Sequence, residues 1–204
     1  MLEVRMRLLT INIALQPDWE ERKTDWPYKR PSVVVDTLVA ETWSPSLEKW
    51  KYVNKKRCRR SFFLYQVTVS LGTLRIVSFD GPFKGAAADS SIMKTTIEQR
   101  LIDNDELALA DKGYRHLKKS CIFPPPGRTA AMTKEQRIFA GKVHRGRQCV
   151  ERMNRRLTAA GVLSSGQWRY SMQLHSKCMR VLVKLTNHML LREPLDRGYY
   201  KLVA

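Results

Sequence analysis

Three carboxylates stand where a charge is hard to explain as solvated surface. Asp36 interrupts the apolar run VVVDTLVA, Asp111 follows the short apolar segment ELALA, and Glu151 lies in the basic stretch RQCVERMNRR. A charge inside an apolar segment is expensive unless it is paired or binds a metal. Carboxylate oxygens are the donors a hard cation takes, so three acids at strand ends and on a helix packed against them can meet and hold two Mg²⁺ ions. Each acid also has a plain reading. Asp36 can be a sheet-edge charge, Asp111 a turn or cap residue, and Glu151 an i,i+4 partner of Arg147 and Arg155. Spacing alone leaves both sets open. Asp80, at a strand end before Gly81, is the rival metal ligand.

The elements that must position these residues follow from pattern. Ser32–Ala40 is a β-branched run with the signature of a buried strand. Phe62–Ser70 and Thr73–Phe79 are two more, and the Leu71-Gly72 between them predicts a tight hairpin. A helix is expected over Gly85–Leu101, with Ala86, Ala87, Ile92, Met93, Ile97 and Leu101 on its inner stripe. Glu106–Ala110 is a short apolar run, a short helix is expected over His116–Ser120, and Cys121–Phe123 is a last strand stopped by Pro124-Pro125-Pro126-Gly127. A long helix from Thr133 to about Ala160 ends at Gly161, and a second spans Ser171–Leu191 before Pro194. Three strands in a meander followed by alternating helices and strands predict an α/β fold. The order is compatible with an RNase H-like mixed sheet flanked by helices.

Charge narrows the partner. The 204 residues carry 37 Lys+Arg against 19 Asp+Glu, a formal net charge of +18. Residues 1–48 sum to −2 and 61–111 to −3, whereas 49–60 (KWKYVNKKRCRR) sum to +7 and 112–204 to +16. Two basic zones bracketing an acidic middle favour a polyanion, and nucleic acid is the usual one. A 43% apolar fraction argues against a disordered basic tail. Nothing approaches the roughly 18–20 apolar residues of a membrane span, and no secretory signal is read at the start. The cysteines, Cys58, Cys121, Cys149 and Cys178, lack metal-ligand spacing and read as reduced thiols.

Several segments together resemble one family. VVVDTLV is similar to the strand carrying the first Asp of PIF/Harbinger-type DDE transposases, kin to bacterial insertion-sequence transposases. YVNKK (Tyr52, Asn54, Lys55, Lys56) resembles that family's Tyr/Asn-Lys-Lys segment. FDGPFKGAAADSSIM looks like its Pro-Gly…Asp-Ser stretch, with Pro82, Gly85, Asp89 and Ser90 in place. ALADKGYRHL resembles the second catalytic Asp followed by Gly-Tyr, RQCVERMNRRL the Arg-x-x-x-Glu-Arg helix, and LTNHML its Leu-x-Asn helix. The likeness covers roughly residues 30–191.

The resemblance implies a catalytic and metal-binding triad of Asp36, Asp111 and Glu151, separated by 75 and 40 positions, holding two Mg²⁺ (or Mn²⁺) ions. It implies phosphodiester hydrolysis and strand transfer at transposon ends in double-stranded DNA. Lys55, Lys56 and Arg57 read equally as holders of flanking DNA, a nuclear import signal or a basic loop, and Lys142, Arg145, Arg147 and Arg155 as contacts along the scissile strand or as solvated helix charges. Asp89 is expected as a helper behind the metal ligands or as a helix N-terminal residue. Two departures stand out. Ala88 precedes Asp89 where the family has His, and the thirty-odd residues before Asp36 are too few for a helix-turn-helix domain. The expected division is an irregular segment 1–31, a catalytic domain 32–192 and a tail 193–204. A catalytically silent, transposase-derived DNA-binding protein is the alternative, and a basic RNA-binding protein the third reading. A separate DNA-binding partner protein, a homodimer, no membrane association, and nuclear residence (or a bacterial cytoplasm) complete the expectations.

Overall fold

The run SVVV hides both faces of its strand, which is why it reads as continuous rather than alternating. In a computed structural model of the chain, Val33, Val34 and Val35 are all 2% exposed or less. The structure describes residues 31–43, 53, 60–125, 131–160 and 168–195. Strand β1 (Pro31–Glu41), β2 (Phe62–Ser70) and β3 (Ile76–Lys84) form an antiparallel meander. Helices α1 (Asp89–Thr96) and α2 (Glu98–Asp103) cross over to β4 (Leu107–Leu109), which pairs parallel with β1. A 3₁₀ turn (Lys112–Tyr114) leads to β5 (Cys121–Ile122), parallel to β4. Two long helices follow, α3 (Lys134–Ala159) and α4 (Met172–Arg192). The sheet order is β3-β2-β1-β4-β5.

Each face of the sheet carries its own core. On one, Val34, Leu38, Tyr65, Val67 and Leu109 meet Val143, Val150, Met153 and Leu157 of α3 and Met179 and Val183 of α4. On the other, Val33, Val35, Ala108 and Ala110 meet Met93, Ile97 and Leu101 of α1, α2 and the link between them, with Tyr114 and Leu117. Each Val, Leu, Ile or Met among them contributes about 1.5–3 kcal/mol by leaving water. The long helix starts at a capping box: Thr133 Oγ1 accepts from the Gln136 backbone N–H, and the Gln136 side chain accepts from that of Thr133. Ser171 caps α4 by accepting from the Leu174 N–H.

A mixed sheet with helices on both faces, in this order, is the RNase H-like α/β fold expected from the element order. Three local expectations are corrected. The helix foreseen over Gly85–Leu101 begins at Asp89 and breaks at Ile97, giving two short helices. The short helix foreseen over His116–Ser120 is instead the 3₁₀ turn at Lys112–Tyr114, nucleated when Asp111 accepts from the Lys112 N–H. The hairpin foreseen at Leu71-Gly72 needs residues 71–75, and Leu74 adopts a left-handed φ of 56° within it. The basic residues Lys55, Lys56 and Arg57, and Cys58, lie outside the described residues, as do most of segment 1–31 and of tail 193–204. Among the described residues Cys121, Cys149 and Cys178 are free thiols, and no helix is long and apolar enough to cross a membrane.

Candidate active site where strands one and four run side by side

Register brings two of the acids together. Val34 of β1 pairs in parallel with Leu109 of β4, so Asp36 and Asp111, each two residues further on, come level on neighbouring chains. Neighbouring strands lie about 4.8 Å apart. Asp36 sits mid-strand on the sheet face covered by α3, opposite Val67 of β2. Asp111 sits just past the end of β4, with its side chain 54% exposed. It accepts from the Lys112 N–H at 2.6 Å, so the cap role and a place in the cluster coexist.

The helix α3 faces this pair. Arg147, Glu151 and Asn154, at i, i+4 and i+7, fall within about 60° of arc on one helix face. Asn154 Nδ2 donates to Asp36 Oδ2 at 2.9 Å. Arg147 Nη1 lies 3.6 Å from Asp111 Oδ1, its side chain only 14% exposed. Glu151, half-buried between them in sequence, shares their face. Asp36 and Asp111 are joined to the helix by these two contacts. Among the described residues no three His, Cys, Asp or Glu side chains converge tightly enough to hold a metal ion. The α3 side chains that reach the pair are a guanidinium and an amide.

A third acid approaches from the other sheet face. Asp89 is the first residue of α1, as its helix N-terminal reading expects. Its Oδ2 lies 3.5 Å from where a Cβ on Gly113 would stand, so Gly113 leaves ordinary room for it. Below it, the hydroxyls of Tyr114 and Thr37 share a hydrogen bond at 3.0 Å, which ties the 3₁₀ turn to β1. The rival ligand Asp80 is elsewhere: it pairs with Gln66, two strands away from Asp36's side of the sheet, and accepts from Ser78 Oγ.

Electrostatics mark the cluster as one unit. Burial pushes the Asp36 carboxyl above the usual carboxylate range; the Thr37 backbone N–H and Arg147 oppose this, and Asp89 and Asp111 add to it. Burial likewise pushes the Tyr114 phenol well up, with the negative charges of Asp89 and Asp36 adding to it. A hard cation fits this setting. Asp36 and Asp111 supply carboxylate oxygens, and the buried Asn154 Oδ1 beside Asp36 has no hydrogen-bond partner among the described residues.

The basic side chains of α3 divide. Arg155 is exposed on the Glu151 side, whereas Lys142 and Arg145 fall roughly 140–160° around the helix from Arg147. Those two therefore do not extend the strip that Arg147 begins. Sequence reasoning missed Asn154, which as a lone Asn in a basic helix looks like surface. Its spacing of seven from Arg147 was the available signal.

Residues 35–187 match a family model described as DDE superfamily endonuclease. No curated protein matches the chain. No solved structure matches it either.

Proposed function

The chain belongs to the DDE superfamily endonucleases, and from that premise we propose that it is a metal-dependent DNA endonuclease and transposase catalytic domain of PIF/Harbinger type. The observation that carries this is the parallel register that sets Asp36 level with Asp111, with α3 laid across them. Asp36 holds its carboxylate inside the sheet, oriented by Asn154, while Asp111 offers its oxygens from the strand end. Glu151 completes the ligand set from α3 by turning toward the pair. Two Mg²⁺ (or Mn²⁺) ions bound there would lower the pKa of an attacking water and stabilise the leaving 3′ oxygen. Asp89, from the first turn of α1, adds negative charge behind Asp36 and strengthens its demand for a cation. Arg155, exposed beside Glu151, is placed to meet a phosphate of double-stranded DNA. The catalytic domain is proposed to run over 32–192, acting with a separate DNA-binding partner protein, as a homodimer, in the nucleus.

The test is nicking of supercoiled plasmid with Mg²⁺ or Mn²⁺. Wild type is expected to nick, EDTA to stop it, and Asp111→Asn to lower the rate by about 100-fold or more. Cleavage that survives both would reject the site. One observation favours the silent DNA-binding reading: the Arg147–Asp111 ion pair occupies a carboxylate that chemistry needs. That reading expects DNA binding with no nicking under either metal.

A further inference from the structure

Resting on the metal-site reading above, we propose that Arg147 is a built-in competitor of the divalent cation: it holds the Asp36–Asp111 pair when no metal is bound and is released when metal enters. Four features of the site support this. First, the pair is level on adjacent parallel strands and Asp89 stands close behind, so the cluster carries more negative charge than a lone ion pair. A cation is favoured there whether or not metal is present.

Second, Arg147 is the cation the fold supplies. Its Nη1 stands 3.6 Å from Asp111 Oδ1, and its charge also bears on Asp36. Third, the hold is loose. At 3.6 Å the contact is longer than a normal charged hydrogen bond, and the buried Arg147 Nε has no hydrogen-bond partner among the described residues. A guanidinium wants its donors filled, so leaving this position relieves an unsatisfied group. Fourth, the two occupants oppose each other. A divalent cation bound to the Asp36–Asp111 pair would repel a guanidinium that stands 3.6 Å from Asp111 Oδ1. Once displaced, Arg147 swings on a flexible stem toward the exposed side of α3, where Arg155 lies and where a DNA phosphate can accept its fork. The exchange would keep the pair neutralised until metal enters.

The experiment measures Mn²⁺ affinity by calorimetry on the full chain without DNA, for wild type, Arg147→Gln, Arg147→Lys and Asp111→Asn. Removing the competitor is expected to tighten Mn²⁺ binding about tenfold in Arg147→Gln. Arg147→Lys, which restores a positive charge, is expected to return toward wild type. Equal or weaker binding by a folded Arg147→Gln overturns the competition. If wild type and Arg147→Gln bind equally and Asp111→Asn does not, the metal site stands and the competition falls. If neither wild type nor Arg147→Gln binds Mn²⁺, both readings fall together. A second measurement needs no variant: the Arg147 Nε–H resonance of wild type should move as Mg²⁺ is titrated in. A resonance that stays fixed while Mg²⁺ binds overturns the proposal.

Discussion

Asp36 is an ionisable group in a position that opposes its ionisation. Its carboxyl is pushed above the ordinary range chiefly by burial, with Asp89 and Asp111 adding like charge. The folded chain therefore holds the Asp36 proton more tightly than the unfolded chain does. Stability attributable to this residue is present at low pH and is lost as pH rises from the unfolded value of 3.8 through the raised folded one. At neutral pH and without metal, the charge is a cost. Asp36→Asn keeps an oxygen to accept from Asn154 and removes that charge. It should raise metal-free stability by about 0.5–2 kcal/mol in urea unfolding while abolishing nicking. A loss of stability instead would mean that Arg147 and Asn154 more than offset the burial. At this scale the sequence was partly legible. Asp36 and Asp111 declared themselves by interrupting or ending apolar runs, and Asp89 through the family likeness of its segment. Arg147 stood out only as a partner of Glu151 and a DNA contact, not as a partner of Asp111, and Asn154 was missed, because a helix rich in Arg and Lys looks solvated on every side until the sheet it packs on is known.

Among the elements, the edge strand β3 shows how a short motif can be structural. The Asn187 side chain acts on it like a stub of another strand. Its Oδ1 accepts from the Ile76 N–H at 2.9 Å, and its Nδ2 donates to the Ile76 carbonyl at 2.8 Å. This is the Asn of the LTNHML segment, so that motif ties α4 to the sheet. Asn187→Ala leaves both Ile76 backbone groups without those partners and should cost about 1–3 kcal/mol, read as a lowered denaturation midpoint. A change below about 0.5 kcal/mol would show that water replaces the amide fully. Long, strongly patterned elements such as β1, β2, α3 and α4 were readable because burial on one or both faces leaves a period in the sequence. The break at Ile97 and the 3₁₀ turn after Asp111 were not. Both depend on where the crossover meets β4 and on a single carboxylate capping a turn, and neither leaves a period behind.

For the molecule as a whole, the balance of buried titrating groups sets the acid limit of the fold. His175 is fully buried against Tyr65, Phe63 and Trp168, at the joint between the sheet and α4. Its Nδ1 and the Tyr65 hydroxyl are 2.7 Å apart, and its buried Nε2 has no hydrogen-bond partner among the described residues. Burial holds the imidazole down at about 4, against 6.5 when unfolded. Here the sign is opposite to that of Asp36, since the unfolded chain binds the extra proton first. The stability His175 contributes is complete above pH 6.5 and drains away as pH falls toward about 4, by at most about 3 kcal/mol. Protonation of carboxylates over the same range lets the net charge of +18 grow, so repulsion among the basic zones adds to the loss. Unfolding free energy measured from pH 7 to pH 4 should therefore fall steeply, with the slope centred below 6.5. His175→Gln, which can still accept from Tyr65 but takes up no proton, should flatten that slope while leaving the Asp36 contribution in place. A wild-type profile that stays flat to pH 4 would place the charged imidazole in water rather than beneath α4.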